Sequence, residues 1–442
     1  MSWRKPADRL LAHSIVQAFR GDAERSFIQL STASSHAWEK TEYWLNTSGL
    51  AFYFLDQITS LGISDAVHSE VFHRLRANLR KNKVRAAAMF REFAALNGAF
   101  RSAGVMYFNH KGFTLCPHAC PSPELRHQLD FDFIVAREHL EAARECLDTR
   151  GYRLTAATHK TWEFKAGNYA RRKWDLYSMG TYRSVELHFG GGPERQNDER
   201  LQRISNWTWG GQEYPALAPA DQLIGQALHL FGHLRSESTR PAWVLEFRRH
   251  VIARRDDCAF WANVRQLATD RRYAAMALGT SILLASQLFG RCAPPDVERW
   301  AIASVTPTVR LWVERYGVDA VLADFPGTKL FLFLEEEIER LEAGPAKAVR
   351  TRLLPMHAGR MIFTARASET RLERMDRIWA QIRFMLFRAR FHLVEAGHYL
   401  AERHAWKRAL LRQRVGSAVT LQAGREMTNH KQLNDNLGPT SV

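Results

Sequence analysis

The chain has 442 residues, 46% hydrophobic and 24% charged, ordinary proportions that exclude a collagenous, low-complexity or largely disordered protein. Its length argues for two or three domains rather than one. An excess of 62 Lys and Arg over 46 Asp and Glu gives a formal charge of +16, which favours polyanionic partners (nucleotides, nucleic acids or anionic membrane surfaces) without naming a reaction.

The first residues carry positive charge, but Asp8, His13 and Gln17 interrupt their apolar positions, so no secretory segment is expected and the reading is cytoplasmic. From Ser26 to about Asn97, apolar residues recur at three- and four-residue steps, which predicts an α-helical N-terminal region over 1–97. Its later basic residues, from Arg74 to Arg85, read as a solvated helix face.

The period changes between Gly104 and Gly192. VMYF, LDFDFIV, RLTAATHKTWEF, KWDLYS and SVELHF read as strands, while Arg137 to Thr149 reads as a helix closed by Gly151. A mixed α/β domain is expected over 98–205. Within it His110, Cys116, His118 and Cys120 fall close together. Zinc is conceivable there, yet structural zinc sites recruit a second ligand pair from a distant element and none is matched, so the run reads as a Pro-rich loop with incidental thiols. Five scattered cysteines argue against a disulfide framework and for a reducing compartment.

Helical periodicity returns from Asp221 to about Arg414, with breaks at several prolines and no strand signals, so 206–415 is predicted to be α-helical and 416–442 a flexible tail. The apolar run Ala274–Phe289 is shorter than the roughly 20 residues that span a bilayer and predicts a buried helix. His229 and His233 share a helix face, but no HExxH motif accompanies them, so a core or inter-domain role is favoured. Residues 347–414 hold 16 Lys and Arg against 5 Asp and Glu, in a basic amphipathic pattern that suits packing on the domain, contact with nucleic acid, or contact with an anionic membrane.

Chemistry enters at Leu129-Asp130-Phe131-Asp132-Phe133. In a strand Asp130 and Asp132 share one face, while Leu129, Phe131 and Phe133 form the apolar one. Two carboxylates so placed raise each other's pKa unless a cation lies between them, and oxygen ligands select Mg²⁺ or Mn²⁺. Val185-Glu186-Leu187-His188-Phe189 repeats the construction, so Glu186 supplies a third acid if the two strands are neighbours. Asp175 competes for that role.

His110-Lys111-Gly112, Arg126-x3-Asp130-Phe131-Asp132, Gly151-Tyr152 and Val185-Glu186-Leu187-His188 together resemble a largely uncharacterised bacterial nucleotidyltransferase family of the DNA polymerase β superfamily. The resemblance covers about 100–250 and continues from Pro219 through His229 and His233 to Trp243. It implies an α+β fold in which a small mixed-sheet polymerase β-like domain is flanked by helical regions. It also implies Mg²⁺-dependent transfer of NMP from an NTP to an acceptor hydroxyl, phosphate or protein side chain. Asp130 and Asp132 would bind two Mg²⁺ (or Mn²⁺) ions and Glu186 would complete the set. Lys111 and Gly112, ending the first strand and opening a helix, would meet the triphosphate. Arg126 would stand near the phosphates or brace the acidic strand, and His188 would orient Glu186 or the acceptor, or serve as a half-buried structural histidine. The alternative is a non-catalytic protein of this fold that binds nucleic acid, a protein or a membrane through its basic C-terminal helices.

Overall fold

The computed structural model describes residues 7–167, 176–177, 183–189, 199–271, 273–342, 352–355 and 370–436, with side chains through 413. The chain opens with α1 (Arg9–Gln17), α2 (Ala23–Ser31), α3 (Ser35–Thr47), α4 (Ala51–Ser60) and the long α5 (Ser69–Ser102). Asp8, Asp22 and Ser34 cap the first three by accepting from the backbone N–H three residues on, which satisfies donors a helix start leaves free. The α5 helix serves two cores. Val71 and Leu75 enter the helical one, and Phe93, Leu96 and Phe100 pack beneath the sheet.

The strands are β1 (Tyr107–Asn109), β2 (Phe131–Val135), β3 (Arg153–Ala157), β4 (Thr161–Ala166), β5 (Arg183–His188), β6 (Ile204–Trp209) and β7 (Gln212–Leu217), with α6 (Leu140–Asp148) after β2. They form one mixed sheet in the order β3-β4-β5-β2-β1-β7-β6, with β2–β5 and β1–β7 parallel. This is the mixed α/β architecture with flanking helices that the sequence predicts. One face of the sheet is an aromatic core in which Phe93, Phe100, Phe131 and Phe133 meet; Phe100 and Phe133 have ring centroids 5.1 Å apart.

The β6–β7 hairpin lies where helix is expected. Gly210 and Gly211, at φ 60° and 76°, supply the left-handed backbone of its two-residue turn. Residue 97 falls inside α5 and residue 205 inside β6, so a division at either expected boundary would cut an element. Of KWDLYS only Leu176 and Tyr177 are described, in a turn, and Asp175 lies outside the described residues.

Helices α7 (Pro219–Leu234), α8 (Pro241–Ala253), α9 (Cys258–Asp270), α10 (Ala274–Phe289), α11 (Pro295–Ala303), α12 (Pro307–Trp312), α13 (Val318–Leu322) and α14 (Phe331–Leu341) follow. Four begin on a proline, whose missing N–H costs nothing at a first turn, so three of the prolines read as breaks, Pro241, Pro295 and Pro307, are helix starts. The apolar run Ala274–Phe289 is α10 and is buried almost throughout. The last helix, α15 (Arg371–Asn436), continues past Gly416, where the sequence predicts a flexible tail.

The two helical regions are separated in sequence but share one core. Phe19 and Phe289 meet edge to face at 5.7 Å, Arg20 Nη2 donates to the Gln287 carbonyl at 2.6 Å, and the Ala7 N–H donates to Asp324 at 2.9 Å. Among the described residues no helix is long and apolar enough to cross a membrane.

Candidate active site

In β2 the buried rings of Phe131 and Phe133 alternate with Asp132, and in β5 Val185 and Leu187 alternate with Glu186 and His188. Because the two strands are parallel neighbours, Asp132 stands directly across from Glu186. His188 Nε2 lies 3.0 Å from Asp132 Oδ1 and 3.4 Å from Glu186 Oε2. One ligand atom from each of these three residues falls within 4.8 Å of the others. Asp130 precedes β2 and lines the same cavity. The compact donor set is therefore Asp132, Glu186 and His188, with Asp130 beside it, rather than three acids alone. Leu129 is half exposed in the cavity instead of buried on the apolar face, because the strand begins only at Phe131.

The cavity, of about 280 Å³, lies between this acidic face and helices α7 and α8. Lys111 lines it with φ 65° and ψ −153°, an unusual conformation for a residue with a Cβ. Gly112 follows at φ 60°; a Cβ there would come within 2.6 Å of Gln128 Nε2. Gly112 is buried and does not line the cavity, and the helix expected after it is a single 3₁₀ turn, Gly112–Leu115. Cys116 precedes Pro117, and a pre-proline residue disfavours helical backbone, which ends the turn. Arg126 lines the cavity but is tied to α8, its Nε donating to Glu246 Oε1 at 3.0 Å, and the Tyr53 hydroxyl donates to the same oxygen at 2.8 Å.

Of the CPHAC run, the Cys116 and Cys120 thiols are hydrogen-bonded to each other, but His118 does not join them. Cys116 and Cys120 are buried, Cys120 Sγ donating to the Ser122 carbonyl at 3.1 Å, while His118 turns to Arg254, 3.3 Å away, and stacks on His250.

A family model described as uncharacterised nucleotidyltransferase matches residues 34–290, more than half of the chain. The chain belongs to this nucleotidyltransferase family. The match takes in the whole sheet and helices α3 to α10. Among solved structures, the chain is similar to an antigenic nucleotidyltransferase-like protein from Paracoccidioides brasiliensis, with 14% identity and a TM-score of 0.28 over 50% of this chain and 96% of that one. No curated protein matches it.

The acidic face of this family member is electrostatically uneven. Burial pushes the Asp130 carboxyl up, and the neighbouring Asp132 pushes it further. Burial acts on Asp132 in the same sense, but the His188 hydrogen bond and the Lys111 charge outweigh it and hold this carboxyl well below the usual range. Glu186 is raised by burial and by Asp132. Across the cavity, burial and then Lys111 push His229 down to about 3, and His110 falls well below its ordinary value for the same two reasons. Both rings are therefore neutral at physiological pH.

The far wall contains His229 and His233, for which the sequence favours a core or inter-domain role, together with Gln226 and Arg240, which no motif singles out. Gln222, Gln226, His229 and His233 form a polar stripe at helical spacing on α7, whose Leu223, Ile224, Ala227, Leu230, Phe231 and Leu234 are buried. That stripe was the available signal. The His229 and His233 rings pack on Trp243 of α8, with centroids 4.9 and 4.2 Å from it, and Arg240 lies over the same indole at 5.3 Å.

Proposed function

We propose that the chain is an enzyme that transfers NMP from an NTP to an acceptor hydroxyl, phosphate or side chain, using the acidic face and a divalent cation. The reading rests on one observation, the pairing of β2 with β5 that sets Asp132 opposite Glu186 with His188 against both, in a member of a nucleotidyltransferase family.

The donor set fits a divalent cation: two carboxylate oxygens and one imidazole nitrogen gather within 4.8 Å, on a face where Asp130 adds a further acid. An imidazole beside carboxylates favours Mn²⁺ over Mg²⁺ more than three carboxylates would. When bound, such a cation supplies charge neutralisation at the α-phosphate and lowers the pKa of an acceptor hydroxyl. Lys111, which lines the cavity, receives phosphate oxygens. The neutral His110 and His229 add no cationic charge to the cavity. The acceptor oxygen bonds to the α-phosphorus, its proton passes to the carboxylate cluster, and the bond to the β-phosphate breaks to release pyrophosphate.

The test is incubation with each α-labelled NTP in Mn²⁺ or Mg²⁺, following pyrophosphate release and label on the protein, on RNA and on small molecules. Label that requires the cation and vanishes with chelator is expected. No label with any NTP and cation supports the non-catalytic alternative.

A further inference from the structure

We propose that the exposed face of α15 docks on an anionic lipid surface, a role independent of the proposed chemistry. The helix has two apolar faces, and the described residues cover only one. Successive residues turn by about 100°, which places Phe391, Tyr399 and Trp406 in one sector about 80° wide. These three are buried. Phe333 of α14 stacks on Tyr399 at 4.5 Å and on Trp406 at 5.4 Å, the Tyr399 hydroxyl donates to Glu336 at 2.8 Å, and Arg388 pairs with Glu237 at 2.6 Å. That face holds the helix to the body.

Leu372, Met375, Ile378, Trp379, Ile382, Met385, Leu386 and Leu393 occupy another sector, about 140° wide and centred about 150° from the first. All are exposed, Leu372 at 76%, Trp379 at 56% and Leu393 at 65%. Over the 372–393 span this makes a continuous strip about 32 Å long. Contiguous exposed apolar surface of this kind marks an interaction site rather than ordinary surface scatter.

Charge selects the occupant. Exposed arginines border the strip on both sides, Arg374 along one edge and Arg383 and Arg390 along the other. A second copy would set arginine against arginine across the seam in either orientation, so self-pairing is opposed by like charge. Duplex nucleic acid matches the arginines but offers nothing to a row of Leu, Ile and Met. An anionic lipid surface satisfies both, taking the apolar strip into the acyl boundary and the arginines among the headgroups, with Trp379 suited to the interface. Residues 347–414 carry +11 of the chain's +16, so the charge excess is concentrated on the segment that bears this face.

The experiment is co-sedimentation of the full chain with phosphatidylcholine vesicles, alone or containing roughly one-third phosphatidylglycerol. Binding only to the anionic vesicles, weakening as salt is raised, is expected. Replacing two flanking residues, Arg374→Gln with Arg383→Gln, should lower the affinity about 30-fold. Trp379→Glu with Leu386→Glu should abolish binding while circular dichroism and melting temperature stay as in the unmodified chain, since both residues are exposed. Equal binding to neutral vesicles, no binding to either, or unchanged binding by the variants would overturn the proposal. So would a concentration-dependent dimer lost in Trp379→Glu/Leu386→Glu, or binding of a duplex oligonucleotide by a protein that ignores vesicles.

Discussion

At His188 the imidazole is held from both sides, Nε2 by Asp132 at 3.0 Å and Nδ1 by the Thr161 hydroxyl at 3.2 Å. With Nε2 donating to the carboxylate, Nδ1 accepts from Thr161; if Nε2 becomes a metal ligand, the proton moves to Nδ1 and the same hydroxyl accepts. Threonine serves either tautomer because a hydroxyl does both. Thr161→Val should therefore weaken Mn²⁺ binding about 10- to 100-fold with the fold unchanged, as read by titration calorimetry. Unaltered affinity would remove Thr161 from the site. The acids of this face are legible in the sequence because their strands alternate with Phe, Val and Leu, which fixes the side each residue takes. Thr161 was not legible: it enters only through the register that sets it beside His188 on the neighbouring β4. Leu129 was misplaced because alternation says which side a residue faces but not where a strand starts.

Between elements, the most demanding polar contact is Asp221 of α7, fully buried and clasped by Arg203, 3.1 Å away, and by Arg271. Burial pushes the Asp221 carboxyl up, but the hydrogen bonds from Arg203 and Arg271 prevail and its pKa lies below the ordinary value. A depressed folded-state pKa contributes stability that is present above the unfolded-state value of about 3.9 and is lost as pH falls through the folded one. Asp221→Asn leaves Arg271 buried without its counter-charge and should cost about 3–5 kcal/mol near neutral pH in chemical unfolding. The gap between variant and native protein should narrow below about pH 4, and a gap independent of pH would contradict this reading.

Helix packing gives a paired prediction. A Cβ on Gly279 would lie 2.1 Å from the Ala301 carbonyl oxygen, so α10 and α11 touch backbone to backbone there, whereas Gly232 on α7 is exposed with nothing within 4 Å. Gly279→Ala should destabilise by at least about 1–3 kcal/mol, and Gly232→Ala should stabilise by about 0.4–1 kcal/mol, both read from denaturant midpoints. The α10 helix was readable because its apolar run, Ala274–Phe289, is long enough for a buried helix and too short to span a bilayer. The β6–β7 hairpin was missed because polar residues and Pro215 dilute its alternation, and the residue that reveals it is the Gly210-Gly211 turn.

In the whole molecule the +16 separates into roles. The acidic face lies in the sheet domain, facing neutral histidines and Trp243 across the cavity, while the excess of basic residues is carried by the C-terminal stretch. The union of the first and last helical regions into one core could not be read from local pattern, since periodicity tells which face is buried and not against what. The same holds for the cavity, whose second wall comes from α7 and α8, about a hundred residues beyond the aspartates. The central claim is that this sheet face transfers a nucleotide, and its most direct measurement is the rate of cation-dependent label transfer by the unmodified chain and by Asp132→Asn. The isosteric change removes one charge while leaving the register with Glu186 in place, so a loss of at least about 100-fold with unchanged melting is predicted. Transfer at the unmodified rate by Asp132→Asn would contradict the account.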